Sequence, residues 1–366
     1  DRMNPVDIDP DRLRAYSLLV FTKLEGAFTA GMVHLGERLG LFRALAAAPE
    51  GGYTSQELAD AAGLHERWVR EWAHNQAAAQ ILEWEEDADG VERFSMTPEA
   101  VAVLADADHP ANGSGMFYRL PQTMQVLEEL VESFRTGIGL DYDAFGPEGA
   151  AGIERSFGPW YRNFLVPVGL PALDAVVERL DAGATAADIG CGAGIAVMTM
   201  AAAFPRSTFH GYDISKHALD RAERSRSERG LDNVRFHDAR VDAIPSDGSL
   251  DLITTFDCIH DMTDPAGMMH TIRAAIAPDG VWLLVDIKGR DTFAENLEKN
   301  PLAPLMYGVS VLSCMSSALS EPGGAGLGTL GFPESLARSM TAEAGFTRFR
   351  KLQIDHPVNA FYEVRP

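Results

Sequence analysis

A glycine-rich turn at residues 187–194, with the sequence Ala-Asp-Ile-Gly-Cys-Gly-Ala-Gly, constrains the fold more than any other feature of the chain. It lies where an apolar strand is expected to turn into a helix. Glycines at alternate positions let the backbone approach a ligand closely and leave helix N–H groups pointing at it. Dinucleotide-binding proteins carry a similar turn, but their G-x-G-x-x-G spacing would place glycine at position 195, where this chain has Ile195. The turn therefore predicts a ligand-binding βα unit with the pattern D-x-G-x-G-x-G.

Strands and helices are predicted to alternate from about Val166 onward. The spacing leaves room for a helix between successive strands, as parallel βαβ crossovers require. The predicted strands are 186–189, 208–212, 234–237, 250–256 and 281–287, followed by a terminal hairpin of 348–355 and 360–364. This alternation predicts an α/β fold with a Rossmann-like, doubly wound sheet whose last strand is antiparallel.

A long insertion over 290–333 is expected to interrupt this pattern after the fifth strand. Its segment 321–331 contains five glycines in eleven residues. Because glycine tolerates backbone angles that other residues avoid, this composition predicts a loop of unusual conformation.

The first hundred residues are predicted to be helical and to include a winged-helix unit. Apolar residues recur at helical spacing over 12–45, where several glycines interrupt them. Thr54 and Glu57 have the spacing of a capping box for a short helix that ends at Gly63. A second helix is expected over 65–82, and an Asp-Gly hairpin after it. Three residues of that second helix are expected to face inward: Trp68, Val69 and Trp72.

A winged-helix unit suggests either DNA binding or a scaffold for dimerisation. Residues 54–97 contain ten acidic and three basic side chains, a net charge of −7. A helix that reads DNA needs Lys and Arg to neutralise phosphates. The charge therefore favours the scaffold, and a homodimer is expected by analogy.

The segment between these regions is rich in aromatic residues, with nine in 109–165. It is interpreted either as ordinary packing between domains or as a lid that lines an apolar substrate site. The predicted domains are 1–108 (helical, winged-helix), 109–165 (connector or lid) and 166–366 (Rossmann-like, with the insertion).

Composition narrows the possible partners. With 31 basic and 53 acidic residues, the formal charge of −22 disfavours nucleic acid and anionic membrane surfaces. No apolar run reaches the roughly 20 residues of a membrane helix, and the polar stretch 1–11 lacks the pattern of a signal peptide. The three cysteines, at 191, 258 and 314, are odd in number and far apart, so no disulfide framework is expected. These observations predict a cytoplasmic protein that acts on a small molecule.

Four motifs in order resemble those of the class I S-adenosylmethionine-dependent methyltransferases. The first is the glycine-rich turn, the second ends in Asp213, the third ends in Asp238, and the fourth is the stretch 277–285. In this family the second acid holds both ribose hydroxyls of the cofactor and the third contacts the adenine amino group, so Asp213 and Asp238 take these roles. The resemblance implies S-adenosylmethionine as cofactor, bound by Asp188, Gly190, Gly192, Gly194, Asp213, Ile214, Asp238, Ala239, Phe256, Asp257 and Tyr161.

A narrower resemblance concerns residues 258–264, which follow the fourth predicted strand. They are similar to the H-D-W stretch of O-methyltransferases with a winged-helix domain, in which the histidine is the general base. His260 matches it, Asp261 either orients that histidine or caps the next helix, and Met262 replaces the tryptophan. An imidazole suits proton acceptance near neutral pH. The alternative is that His260 supports the cofactor site without touching the substrate.

The resemblance implies methyl transfer to a small, apolar or aromatic acceptor, with O-methylation favoured over C-methylation. A cofactor-sensing transcriptional regulator is the alternative from another functional class. Candidate substrate contacts are Trp160, Phe164, Tyr307 and Cys314, the last of which is otherwise a buried thiol. No metal site is expected, because the histidines show no local metal-ligand spacing.

Overall fold

A computed structural model of the protein describes residues 8–366. The first seven residues of the polar stretch 1–11 lie outside the described residues. The chain forms two compact units that meet in sequence between Leu120 and Pro121. This boundary falls inside the predicted connector 109–165, so residues 109–120 belong to the first unit and residues 121–165 to the second.

The first unit contains six helices and a two-stranded hairpin among the described residues. They are α1 (Pro10–Leu39), α2 (Leu41–Ala46), α3 (Ser55–Ala62), α4 (Glu66–Ala78), β1 (Glu83–Glu86), β2 (Glu92–Ser95), α5 (Pro98–Leu104) and α6 (Ser114–Tyr118). The predicted helix over 12–45 divides at Gly40, whose φ of 74° belongs to the left-handed region. In the last turn of α1, a side chain at Gly36 would collide with Phe42 and Trp72, so close packing there requires glycine.

The predicted helix start at Thr54 is confirmed. The Thr54 hydroxyl accepts a hydrogen bond from the Glu57 N–H, and the Glu57 carboxylate accepts one from the Thr54 N–H at 2.8 Å. Trp68 was expected to face inward, and this is wrong: its side chain is 79% exposed. The buried face of α4 repeats at helical spacing through Val69, Trp72 and Gln76, and Trp68 falls beside it.

Much of α1 presents apolar side chains to solvent. In the described residues it is the one helix whose length and composition would allow it to cross a membrane. That evidence is weak, because core helices and N-terminal signal sequences meet the same criterion. Only 11% of its most apolar window is buried. The exposed large residues are Leu13, Tyr16, Leu18, Leu19, Val20, Phe21, Leu24, Phe28, Leu35 and Leu39.

The second unit begins with a run of short helices. They are α7 (Leu120–Gln125), α8 (Leu127–Thr136), a 3-10 turn (Tyr142–Phe145), α9 (Gly146–Trp160), a π-helical segment (Tyr161–Gly169), a 3-10 turn (Leu170–Ala172) and α10 (Val176–Ala182). A π-helical segment is rare and often marks a functional site.

The sheet has seven strands, β3 (Thr185–Ile189), β4 (Thr208–Asp213), β5 (Val234–Asp238), β6 (Leu250–Phe256), β7 (Ile276–Ile287), β8 (Arg348–Lys351) and β9 (Asn359–Arg365). Their order is β5-β4-β3-β6-β7-β9-β8. The pairs from β5 to β7 are parallel, and β9 is antiparallel to both β7 and β8. The Rossmann-like prediction, including the antiparallel last strand, is confirmed.

Helices and short turns connect and cover these strands. They are α11 (Ile195–Ala203), α12 (Lys216–Glu228), a 3-10 turn (Ile259–Asp261), α13 (Pro265–Ala275), α14 (Phe293–Lys299), α15 (Ala303–Val309), a second π-helical segment (Ser310–Cys314), α16 (Met315–Ala318) and α17 (Glu334–Glu343). One apolar core lies on each face of the sheet. In the sheet, β3 pairs with β4 on one side and with β6 on the other. The strand order reverses at this point, so the carboxyl end of β3 is the topological switch point where such sheets bind ligands.

Candidate functional site

The glycine-rich turn 187–194 includes the last three residues of β3 and continues directly beyond the strand. Its three glycines at 190, 192 and 194 have φ values of 71°, 54° and 78°, which side-chain-bearing residues rarely adopt. A Cβ at Gly190 would lie 2.7 Å from Cys258, and one at Gly194 would lie 2.5 Å from the Phe236 ring. A Cβ at Gly192 would meet nothing within 4 Å. Two glycines are therefore required by packing, while Gly192 borders open space that a ligand can approach.

Asp213, at the end of β4, connects to this turn. Its Oδ2 accepts a hydrogen bond from the Gly192 N–H at 2.7 Å, and its Oδ1 accepts one from the Ser215 N–H at 2.8 Å. Burial raises the pKa of this carboxyl, and the backbone N–H groups of Ser215 and Gly192 oppose that rise. Each oxygen has a second lone pair. The carboxylate can therefore accept two hydroxyl donors, as the predicted ribose contact requires.

Asp188 lies within β3 and is 1% exposed. Its Oδ1 accepts a hydrogen bond from the Thr254 hydroxyl at 2.7 Å. Burial raises the pKa of Asp188 to about 7, although the bond from Thr254 opposes this. In this position Asp188 ties β3 to β6 beneath the glycine-rich turn.

Asp238, at the end of β5, forms a bidentate pair with Arg240, with Nε–Oδ1 and Nη2–Oδ2 distances of 3.0 Å. The Arg240 side chain lowers the pKa of this carboxyl. The neighbouring Ala239 donates its N–H to the Asp213 carbonyl oxygen, and Ile214 is half exposed. The predicted adenine contact of Asp238 stays a prediction, and Arg240 adds a cation beside it.

Aromatic and polar groups surround the end of β6. The Tyr161 ring, at the start of the first π-helical segment, makes an edge contact with Phe256 at 4.9 Å between centroids. The next residue, Asp257, has a φ of 51° and accepts a hydrogen bond from the Asn359 side-chain amide. Burial and the nearby Asp286 raise the pKa of Asp257 to about 8. A strained non-glycine residue of this kind is typical of functional sites.

His260 lies in the 3-10 turn after β6 and is 2% exposed. Its Nδ1 is 2.5 Å from Oδ1 of Asp286, a buried acid in the apolar strand β7. Its Nε2 and the second carboxylate oxygen of Asp286 are buried without a hydrogen-bond partner. Burial lowers the pKa of His260, but the Asp286 carboxylate and the nearby Cys314 side chain together outweigh it, and the net pKa is well above the usual value.

Asp261 takes neither of the two roles predicted for it. The carboxylate on the His260 ring is that of Asp286, and the cap of α13 is Asp264, which accepts from the Gly267 N–H at 2.8 Å. The Oδ2 of Asp261 instead accepts a hydrogen bond from the Tyr142 hydroxyl at 2.6 Å. Burial raises the pKa of Asp261 to about 7, against the effect of His260. The reason is the strand order. Because β7 lies beside β6 and runs parallel to it, Asp286 at the end of β7 reaches the imidazole that follows β6.

The substrate-contact candidates separate into two groups. Cys314, at the end of the second π-helical segment, is buried beside His260 and Asp261. The Trp160 ring packs on Phe361 and Phe164, with centroids 5.0 and 6.3 Å away. The Tyr307 ring contacts Phe293 at 5.7 Å. Only Cys314 is placed next to His260 by these contacts, and the other three stay predictions.

The glycine-rich loop of the insertion packs against this cluster. Three of its five glycines, at 323, 326 and 328, have positive φ, which confirms the predicted unusual conformation. Gly328 donates its N–H to the His260 carbonyl oxygen, and Thr329 donates its N–H to the Ser310 hydroxyl. The loop therefore holds the His260 turn and the π-helical segment of Cys314 together.

Four residues of this site are absent from the sequence-based prediction: Tyr142, Arg240, Asp286 and Asn359. Asp286 carried a usable signal, because it is the single acid in the apolar stretch 281–287 that ends β7, and such an acid needs a partner. Tyr142 and Asn359 reach the site through long-range packing that no local pattern reveals. Arg240 is only two residues from Asp238 in the chain, but its spacing matches no motif used in the prediction.

Comparison with known families agrees with this architecture. Residues 180–320 match the family model described as a methyltransferase domain, and residues 27–105 match the Rv2258c-like winged HTH domain. The second unit therefore contains a class I methyltransferase domain. The first unit contains a winged-helix domain of the Rv2258c-like type.

Curated relatives match about a third of this chain. A ubiquinone biosynthesis O-methyltransferase of Albidiferax ferrireducens is 28% identical over 111 residues, which are 30% of this chain and 43% of that enzyme. A malonyl-[acyl-carrier protein] O-methyltransferase of Halalkalibacterium halodurans is 29% identical over 126 residues, 33% of this chain and 45% of that enzyme. The chain thus spans less than half the length of these two relatives.

Solved structures share the whole fold. Human N-acetylserotonin methyltransferase, in complex with S-adenosylmethionine, has a TM-score of 0.69 at 17% identity and covers 99% of both chains. A mitomycin 7-O-methyltransferase has a TM-score of 0.66 at 22% identity, over 98% of this chain and 99% of its own. At these identities the likeness demonstrates the fold.

Proposed function

We propose that the protein transfers the sulfonium methyl group of S-adenosylmethionine to a small molecule, with His260 as the group that accepts the acceptor's proton. An oxygen acceptor is favoured and a carbon acceptor comes next. The observation that carries this proposal is the His260–Asp286 pair, which leaves a buried Nε2 without a partner at the carboxyl end of the parallel strands. A methyltransferase domain model that matches residues 180–320 supports the same activity.

The residues at the switch point fit the cofactor. Gly192 borders open space, and its positive φ favours glycine there, which leaves this approach free of a side chain. Asp213 offers carboxylate oxygens that can accept ribose hydroxyls, and Arg240 holds Asp238 in one orientation. When bound, S-adenosylmethionine supplies an electrophilic methyl group on a positively charged sulfur.

The protein's own chemistry in this proposal is proton acceptance and positioning. Asp286 fixes the imidazole through Nδ1, so that Nε2 is the nitrogen that faces a substrate hydroxyl. The Asp286 carboxylate also stabilises the imidazolium that forms when Nε2 takes the proton, as in other histidine–carboxylate pairs. Positioning of the two reactants in a site shielded from water supplies the remaining rate enhancement.

The cofactor-sensing regulator is disfavoured by the helix that would read DNA. The arginines of α4 at positions 67 and 70 are already paired, Arg67 with Glu71 at 2.6 Å and Arg70 with Glu66 at 3.2 Å. Few cations are therefore left on this helix to neutralise phosphates.

The proposed function is tested by incubating the protein with isotopically labelled S-adenosylmethionine and a cell extract of small molecules. We expect label in one metabolite or a small group of metabolites, and far slower labelling with the His260→Ala variant. Specific binding to duplex DNA at physiological salt, with no methyl transfer to any metabolite, would favour the regulator instead.

We also propose that the protein is a cytoplasmic homodimer in which a second copy covers the apolar face of α1. Ten large apolar side chains are exposed on this helix, and a surface of this kind marks an interface. All three cysteines are free, which suits a reducing compartment. Light scattering should give twice the chain mass of 39.7 kDa, and the Phe21→Glu/Leu24→Glu variant should give the monomer. A monomeric wild type that binds lipid vesicles through α1 would overturn this proposal.

A further inference from the structure

Three potential metal ligands from distant parts of the sequence meet beside the proposed base. A ring nitrogen of His260, a carboxylate oxygen of Asp261 and the Sγ of Cys314 all lie within 4.8 Å of one another. His260 and Asp261 follow β6, whereas Cys314 comes from the insertion. This separation explains why local histidine spacing gave no metal site.

The nitrogen available to an ion is Nε2. Nδ1 of His260 is occupied by the carboxylate of Asp286, and Nε2 is buried with no hydrogen-bond partner. A buried polar atom without a partner is costly and therefore calls for a ligand. Histidines that bind metals almost always donate their other nitrogen to a carboxylate or carbonyl, which orients the ring. Asp286 provides this contact.

The second ligand is also oriented. Asp261 Oδ2 accepts a hydrogen bond from Tyr142 at 2.6 Å, so the carboxylate is fixed at one oxygen. The Tyr142 hydroxyl lies 4.0 Å from Cys314 Sγ as well. Outer hydrogen bonds on two of the three ligands distinguish this cluster from a chance group of polar side chains.

We infer that His260 Nε2, Asp261 and Cys314 form a binding site for a divalent transition-metal ion, for which Zn²⁺ fits best. Nitrogen, oxygen and thiolate sulfur are the ligands that zinc takes in tetrahedral sites, and three protein ligands leave one position open. Donor atoms of such a site are about 3.3–3.7 Å apart for metal–ligand distances of about 2.0–2.3 Å. Side-chain rotations that move the ligand atoms by about 1 Å would therefore bring them to these distances around an ion. On binding, the Cys314 S–H bond and any N–H bond at His260 Nε2 break, sulfur and nitrogen keep the electron pairs that they share with the metal, and the protons go to solvent.

An ion in this site takes the Nε2 lone pair that the proposed base needs, so it inhibits methyl transfer. This consequence rests on the proposed function, whereas metal binding does not. The two are therefore measured separately.

Binding is measured by titrating the full-length, reduced protein with Co²⁺ as a spectroscopic probe and then displacing it with Zn²⁺. We expect one ion per chain, with the thiolate-to-cobalt absorption band and the intense visible bands of four-coordinate cobalt. The Cys314→Ala variant should lose the thiolate band, and the matched control Cys191→Ala, another buried cysteine, should keep it. The Asp286→Asn variant, which leaves all three ligands in place, should bind Zn²⁺ about 10–100-fold more weakly.

A spectrum without a thiolate band in the wild type, or a band that survives in Cys314→Ala, would overturn the assignment. The isosteric Asp261→Asn variant is a control for misfolding. It should weaken Zn²⁺ binding while the thiolate band persists. Unchanged Zn²⁺ affinity in this variant would show that Asp261 is not a ligand. Inhibition by Zn²⁺ should be reversed by a chelator and absent in Cys314→Ala. If no acceptor is ever methylated, the proposed function fails while the cobalt spectrum still decides the metal site.

Discussion

The helix α4 of the winged-helix unit and the His260 turn of the methyltransferase unit treat their charged groups in opposite ways. Every titratable side chain of α4 has a partner: Glu66 with Arg70, Arg67 with Glu71, and His74 with Glu92. At the His260 turn, the imidazole and Asp286 form one hydrogen bond and leave a nitrogen and an oxygen buried without partners.

This difference indicates which of the two regions can bind a ligand. The α4 pairs are largely exposed, so each contributes little to stability, and they leave nothing for a ligand to complete. The unpartnered atoms beside β6 and β7 have a cost in the folded state that a substrate or ion can remove. A residue type alone does not separate the two regions, since both contain a histidine next to a carboxylate.

The largest expected effect separates these two histidines. His260→Ala should lower the rate of methyl transfer by about 10²–10⁴-fold, because the acceptor's proton then has no positioned base. Cofactor affinity, measured by calorimetry, should stay unchanged. The matched control is His74→Ala, which removes a histidine–carboxylate pair from the winged helix and should leave the rate unaltered. Full turnover by His260→Ala would exclude it as the base.

The next effect concerns two aspartates that each accept two backbone N–H groups. Asp213 does so at the glycine-rich turn, and Asp87 does so in the hairpin of the winged helix. Asp213→Ala should weaken S-adenosylmethionine binding by about 1–3 kcal/mol through the loss of charged hydrogen bonds. Asp87→Ala should leave calorimetric affinity as in the wild type. Equal affinity for all three proteins would contradict the role of Asp213.

The third effect concerns the stability of the winged-helix unit. Thr54→Ala removes one half of the capping box of α3 and should lower the free energy of unfolding by about 1 kcal/mol. Thr54→Ser keeps the hydroxyl and should restore most of the loss. Thermal unfolding measures both variants, and methyl transfer at a temperature well below the transition should not change. A rate that falls in Thr54→Ala and recovers in Thr54→Ser would link the winged helix to catalysis.

The smallest effect is expected on the α4 surface. Arg67→Ala breaks an exposed i,i+4 pair and should change the free energy of unfolding by less than about 1 kcal/mol. Neither turnover nor affinity for duplex DNA should move. A measurable loss of specific DNA binding in this variant would reveal a phosphate contact and would revive the regulator.

Local patterns of the sequence predicted most of the fold. Alternating strands and the glycine turn located β3 to β7 within a few residues, with β7 starting five residues earlier than expected, because strand and turn signals are short-range. The prediction for Trp68 was wrong, because a shift of one residue along a helix turns a side chain from the core toward solvent. In the site, Asp213 and His260 follow local motifs, whereas Asp286 reaches His260 only because β7 lies beside β6. Tyr142 and Cys314 arrive through folding of distant segments, which no spacing rule encodes.

The central claim is that Asp286 orients His260 so that Nε2 accepts a proton. The most direct test compares the methyl-transfer rates of Asp286→Asn and Asp261→Asn at saturating cofactor, with cofactor affinity measured alongside. The account predicts a loss of about 10²–10⁴-fold in Asp286→Asn, because the amide cannot stabilise the imidazolium. It predicts a smaller loss in Asp261→Asn, with unchanged affinity for the cofactor in both. A wild-type rate in Asp286→Asn, or a larger loss in Asp261→Asn, would contradict it.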